Sequence, residues 1–335
     1  MNRAHLTKSQ GDIPRQTQAH AKLLLFGEHA AVWGHPAVGL SLASTLTLRY
    51  EPAQDTPWQC QLPPDLGSPE HQLILRLIEV FQTLRTSRGL PALNPGRLQV
   101  ESNIPRGGGW GSSAALSSAF ARLFLPQAPL EGPESLDEAA REGEKLFHGR
   151  PSGIDTALAL REGWWFLERV HEQLTPLPLP DRTPALVAGA LPRLTTTKAL
   201  VSGIAERHTR DPEGTSARLT HLGELARRAQ QSLQAPNFSP KILGSLFQEA
   251  QTVLAELGVS HPALEQVFTA AQAWGSLGGK LSGAGGGGAF VLIFPDTETA
   301  LAACEQLQKF FPQAFWAAPP QVVQASTRQN PRESL

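Results

Sequence analysis

The sequence predicts an α+β protein on three observations. Strand-like and helical stretches are mixed without regular βαβ alternation, the chain turns mostly helical after residue 197, and two glycine runs join directly onto regular elements. In chain order, apolar or alternating character predicts strands at 21–26, 45–51 and 97–101. Leu73, Leu77, Ile78 and Phe81 recur at helical spacing and predict a helix over 69–85. A helix rich in small residues is expected at 112–125, directly after glycines at 107–111. Ser135 and Glu138 match the S-x-x-E capping box and open a helix reaching about residue 147. Strands are expected again at 164–168 and 185–190, then helices at 197–208, 215–233, 239–257 and 262–274. Strand candidates at 279–282 and 288–294 flank the second glycine run, and a helix over 297–310 follows. A shift toward proline and threonine near 182–196 is the expected domain boundary. It divides the chain into a polar extension (1–17), an amino-terminal domain (18–190), a carboxy-terminal domain (191–325) and a tail (326–335).

Composition bounds the class. The 335 residues are 41% hydrophobic and 18% charged, an ordinary globular profile with room for one large domain or two packed ones. Lys and Arg number 29 against 30 Asp and Glu, so no global field recruits nucleic acid or an anionic membrane, and an anion site must be built locally. The amino terminus lacks the apolar stretch of a signal peptide and no apolar run is long enough to span a bilayer, so a cytoplasmic protein without nucleic-acid or membrane partners is expected. Cys60 and Cys304 lie far apart and are read as free thiols rather than a disulfide.

The first glycine segment, PRGGGWGSSAA (105–115), holds Gly107, Gly108, Gly109 and Gly111, followed by Ser112 and Ser113. Glycines let backbone N–H groups converge without Cβ interference, and a helix that starts at once adds unpaired N–H groups and a positive dipole end. The two hydroxyls are placed to cap the helix, ligate Mg²⁺ or touch phosphate; a capped helix after a flexible loop is the plainer alternative. The second segment, KLSGAGGGGA (280–289), has strand candidates on both sides, which argues against a linker. It satisfies G-x-G-x-x-G, but a strand follows where a dinucleotide fold needs a helix, so that match is accidental. Gly285 and Gly286 are its candidate contacts to a ligand or to the first glycine loop. Neither a P-loop nor the protein-kinase motif set is present.

Among polar residues, Lys22 interrupts an apolar strand and is followed by Glu28 and His29. It either snorkels from an edge or reaches a carboxylate or phosphate. Asp155, after Pro151, Ser152 and Gly153, opens an apolar helix, where a carboxylate serves as a cap, a dipole partner or a functional group. Glu144 comes near it only if the chain turns back at 148–152. His29, His35 and His148 fit no zinc spacing.

Taken together, KLLLFGEHAAVWGHPAVGLSL (22–42), IPRGGGWGSSAA (104–115), GEKLFHGRPSGIDTALA (143–159), TTTKALVSGI (195–204) and KLSGAGGGGAFVL (280–292) resemble the GHMP kinase superfamily in order and spread. GEHAAVWG, PSGID and TTTKALV narrow the resemblance to the mevalonate kinase family. The resemblance implies a GHMP kinase fold, with an amino-terminal domain like ribosomal protein S5 domain 2 and a ferredoxin-like carboxy-terminal domain. It implies ATP- and Mg²⁺-dependent phosphorylation of the C5 hydroxyl of mevalonate in the cleft between them, and it leaves room for a homodimer. Carried across by position, Gly107–Gly111 with Ser112 and Ser113 fall at the ATP phosphates, and Ser113 and Glu144 at Mg²⁺. Asp155 falls at the acceptor proton with Lys22 beside it, and Glu28, His29 and Thr197 at mevalonate. Trp110, Arg150 and Thr156 depart from the usual family residues: Trp110 alters packing on the adenine side, and Arg150 adds a charge partner for a carboxylate or phosphate, which leaves room for a different acidic substrate. The rivals are another kinase of the superfamily and a non-catalytic homologue; the latter would have replaced Lys22, Glu144 or Asp155, and all three are present.

Overall fold

The computed structural model describes residues 13–317 apart from 54, 55, 64–66, 106, 133, 150, 172, 181, 183 and 194. Arg150 and the tail expected at 326–335 lie outside the described residues. Two sheets carry the fold. The first contains β1 (Gln16–Phe26), β2 (Ala37–Pro52), β3 (Gln59–Gln61), β4 (Gly96–Ser102), β5 (Trp164–Val170) and β6 (Gln173–Pro178). Its path runs β3-β4-β2-β5-β6, with β1 paired to β2 alongside. The second contains β7 (Ala185–Leu191), β8 (Gly278–Leu281), β9 (Gly288–Phe294) and β10 (Phe315–Ala317), in the order β10-β7-β9-β8. All pairings are antiparallel except β3 with β4, as the lack of βαβ alternation implies. Sheet membership changes between Pro178 and Ala185, ahead of the boundary expected at 190/191.

The helices are α1 (Ser68–Ser87), α2 (Ser112–Phe124), α3 (Leu136–His148), α4 (Ile154–Ala159), α5 (Thr197–Arg210), α6 (Pro212–Gln234), α7 (Pro240–Glu256), α8 (Pro262–Ala273) and α9 (Thr297–Phe310). In α1 the buried stripe is Ile74, Leu77, Ile78 and Phe81 rather than one that begins at Leu73. Ser135 caps α3 as expected, accepting from the Glu138 N–H at 3.2 Å. The Glu138 carboxylate, however, accepts from the Glu134 N–H, one residue before the cap. β6 went unpredicted because Pro176 and Pro178 weaken a strand signature; it is an edge strand, where proline is tolerated. No described helix is long and apolar enough to cross a membrane, and Cys60 and Cys304 are both free.

β1 is the organising strand. Leu23 and Leu25 join the main core, shared with α2 and with β7 and β9 of the second sheet. Leu24 faces the other way, into a smaller cluster with Ile154, Ala157 and Leu158 of α4. Side chains alternate along a strand, so Lys22 shares the face of Leu24 and lies on the α4 side. Ser41, opposite Lys22 in register, donates to the Leu158 and Arg161 carbonyls at 2.8 and 2.7 Å and so ties the end of α4 to the sheet. The other edge of β1 receives both glycine segments. The Lys22 N–H donates to the Trp110 carbonyl at 2.9 Å, and Leu24 exchanges hydrogen bonds with the Ser282 hydroxyl, donating at 3.2 Å and accepting at 2.8 Å.

Candidate active site

Lys22 stands where these elements meet. Its ammonium lies 3.1 Å from Asp155 Oδ1, with the lysine side chain buried and the aspartate 41% exposed. The lysine stem runs beneath the first glycine segment: a Cβ added to Gly111 would stand 2.8 Å from Lys22 Cγ. The ammonium also reaches the second segment, 4.0 Å from a Cβ placed on Gly283. Gly111 has φ 83°, so the residue at the start of α2 must be glycine on both counts. Asp155 reaches Lys22 because Gly149 and Gly153, at φ 65° and 82°, reverse the chain between α3 and α4.

The same reversal brings Glu144 into the site. Ser113 and Ser117, one turn apart on α2, donate to its two carboxylate oxygens at 2.8 and 3.3 Å. His148, one turn further along α3, sits 3.2 Å from Glu144 Oε1 and 3.4 Å from Ser113 Oγ. Burial pushes the Glu144 carboxyl up to about 8; the Ser113 bond opposes this and the Asp155 charge adds to it. A desolvated carboxylate flanked by hydroxyls and by a second carboxylate's field is a hard-oxygen set that a divalent cation would relieve. Gly143 allows this approach of α2 and α3, since a Cβ there would lie 2.8 Å from the Phe81 ring and 3.2 Å from Ser117 Cβ.

Other predicted residues are placed as follows. Gly107 is exposed with open space around it, while Gly108 is buried against the Trp110 ring and Ala190. Gly109 faces Arg193 and Ala289, and Ser112 is half-buried in the first turn of α2. Gly285 and Gly286 are buried. A Cβ on Gly285 would fall 2.1 Å from the Val259 carbonyl, which also accepts the Gly286 N–H at 2.9 Å, so packing within the chain accounts for both. The half-exposed part of this segment is Gly283 and Ala284.

Glu28 is 1% exposed and ion-paired with Lys280, which also donates to the Leu281 carbonyl at 2.6 Å. Burial pushes the Glu28 carboxyl up and the Lys280 ammonium down, while each partner pulls the other back toward its charged form. His29 adopts φ 60°, donates from Nε2 to the Ala284 carbonyl at 3.0 Å, and is held neutral with its pKa lowered to about 4 by burial. Thr196 caps α5 and Thr197 is its first residue, accepting from Arg193 Nη1 at 3.1 Å. Thr156 is buried and donates to the Gly153 carbonyl at 3.0 Å, inside the turn that aims Asp155.

Sequence reasoning missed Ser117, Lys280 and Arg193 as members of this site. Ser117 carried a signal, its four-residue spacing from Ser113; Lys280 carried none, since Glu28 lies 252 residues away, and Arg193 carried none, since the two glycine segments it packs against are distant along the chain.

Comparison with known proteins shows the family. The family described as "GHMP kinases N terminal domain" matches residues 72–163, and "GHMP kinases C terminal" matches residues 221–313. The mevalonate kinase of Methanothermobacter thermautotrophicus is 30% identical over 300 residues, covering 84% of this chain and 92% of that protein. The mevalonate kinase of Thermococcus sibiricus is 28% identical, covering 85% and 90%. Among solved structures, L. major mevalonate kinase in complex with R-mevalonate superposes with a TM-score of 0.75 at 22% identity, covering 93% of this chain and 97% of that one, which is a likeness of fold.

Proposed function

Because the chain belongs to the GHMP kinase family and is an ATP-dependent kinase, we propose that it phosphorylates the C5 hydroxyl of mevalonate, with ATP as donor and Mg²⁺ as the metal. The observation that carries this reading is the Lys22–Asp155 couple, 3.1 Å apart, at the strand edge where both glycine segments dock. Phosphoryl transfer asks a protein chiefly for positioning and charge stabilisation. The α2 N-terminus, reached through Gly107–Gly111, presents free N–H groups and the positive dipole end to the nucleotide's phosphates. Ser113, Ser117 and Glu144 are the residues that would hold Mg²⁺, which when bound offsets charge on those phosphates.

Asp155, open to the cleft, takes or orients the proton of the acceptor hydroxyl, and Lys22 fixes the carboxylate while facing the charge that develops on the acceptor oxygen. His29 and Thr197 flank the acceptor. Glu28, sealed behind Lys280, supports the turn that carries His29 rather than touching the acceptor directly. The product would then feed isoprenoid precursor synthesis.

An ADP-release assay across mevalonate, phosphomevalonate, galactose and homoserine tests the substrate, with mevalonate expected fastest; a faster alcohol would replace it. Asp155→Asn should lose ~10²–10⁴ in kcat while the protein stays folded, as removal of a placed proton acceptor does. Near-normal turnover would take Asp155 out of the chemistry.

A further inference from the structure

We propose that Arg193 is a catalytic residue that contacts the transferring phosphoryl group from the seam between the two glycine segments, an assignment that rests on the kinase reading above. Its guanidinium packs against both segments. A Cβ on Gly109 would stand 2.8 Å from Nη2, and one on Gly288 would stand 2.8 Å from Nε. Those glycines, at φ 77° and 70°, make the room that the arginine fills. Nη1 donates to Thr197 Oγ1 at 3.1 Å, the residue expected at the acceptor. The residue as a whole is exposed, yet partial burial of its charged end lowers its pKa while the Asp155 charge raises it. Its charge also acts on His148, across the site.

Other arginines withdrawn from solvent end on structural partners. Arg161 grips Asp137 and Glu131, Arg85 the Phe124 and Pro91 carbonyls, and Arg122 the Leu160 carbonyl. Arg193 ends on one hydroxyl and on glycine backbone. Among the described residues it has no carboxylate within 4.0 Å, so most of its five N–H donors remain for an anionic oxygen.

The chemistry needs such a charge. The acceptor oxygen forms a bond to the γ-phosphorus while the bond from that phosphorus to the β–γ bridging oxygen breaks. The electron pair of the broken bond stays on that oxygen, now part of ADP, and the hydroxyl proton passes to Asp155. Negative charge spreads over the equatorial and bridging oxygens during transfer. Lys22 is already paired with Asp155, so its charge is partly spent. Arg193 meets those oxygens from the side where both glycine loops converge.

The test compares the native protein with Arg193→Lys and Arg193→Met, using the alcohol that the native protein phosphorylates fastest. Arg193→Met is expected to lose on the order of 10³-fold in kcat, the range seen for arginines that stabilise phosphoryl transfer, with both KM values within about threefold. Arg193→Lys should recover part of the rate. Binding gives a readout independent of turnover: aluminium fluoride with Mg²⁺ and the acceptor should tighten ADP binding to the native protein. Arg193→Met should lose that gain while binding ADP alone normally, which also serves as the check on folding. A higher acceptor KM with kcat intact would overturn the assignment in favour of an anchor for the acceptor's carboxylate. Unchanged kinetics would overturn it in favour of a surface arginine, leaving the kinase reading standing. A native protein inactive on every alcohol would bring down both.

Discussion

His29 combines a backbone conformation that side chains seldom adopt with a ring sealed against the second glycine segment. Its Nε2–H donates to the Ala284 carbonyl, which favours the protonated ring, but burial outweighs that bond, so the ring is neutral when folded and its pKa falls from 6.5 to about 4. The unfolded chain binds a proton here between those values and the folded one does not. Stability is therefore fully present above about 6.5 and is lost as pH falls toward 4, by about 3 kcal/mol from this residue. The pH dependence of the urea midpoint measures it. His29→Asn, which tolerates positive φ, should flatten the acid limb relative to the native protein, and an identical slope in both would contradict the assignment.

At the level of elements, the start of α2 shows how turn chemistry becomes a site. Four glycines in 107–111 allow a left-handed entry into the helix and let Lys22 pass beneath it. Gly111→Ala sets a Cβ 2.8 Å from Lys22 Cγ in a left-handed backbone, so the lysine must shift away from Asp155. We expect a loss of ~1–3 kcal/mol in stability together with a fall in kcat. Gly203 in α5 is the contrast: nothing lies within 4 Å of a Cβ there, and Gly203→Ala should stabilise by ~0.5–1 kcal/mol with unchanged kinetics. Thermal melts and steady-state rates of the two variants separate local strain from a general intolerance of alanine.

Across the whole molecule, the two sheets are joined by a polar seam as well as by a continuous core. Ser282 binds the edge of β1, His29 binds Ala284, and Lys280 of β8 enters a site without solvent to meet Glu28. Removing one member of a buried ion pair leaves the other uncompensated. Lys280→Met should therefore cost ~3–5 kcal/mol by denaturant unfolding, and adding Glu28→Gln should recover a substantial part. Additive losses in the double variant would show that the pair does not act as a unit.

Local physics made most elements readable from residues alone. The helix over 297–310 matches α9 end to end, and the small-residue helix, the Ser135 cap and the strands on either side of the second glycine run follow from periodicity and turn chemistry. Lys22 and Asp155 were each noticeable as residues, a lysine inside an apolar strand and an aspartate opening an apolar helix, whereas Glu144, among charged neighbours, was marked only by the family resemblance. Their convergence was not readable, nor were the Lys280–Glu28 pair, the second hydroxyl on Glu144 or the place of Arg193. Those depend on which strand edge two loops share. The Ser282–Leu24 contact spans 258 residues, and no periodicity within a segment encodes a pairing at that distance. Chain order decided what each segment becomes; only the docking of both glycine loops on one edge of β1 decided which side chains meet.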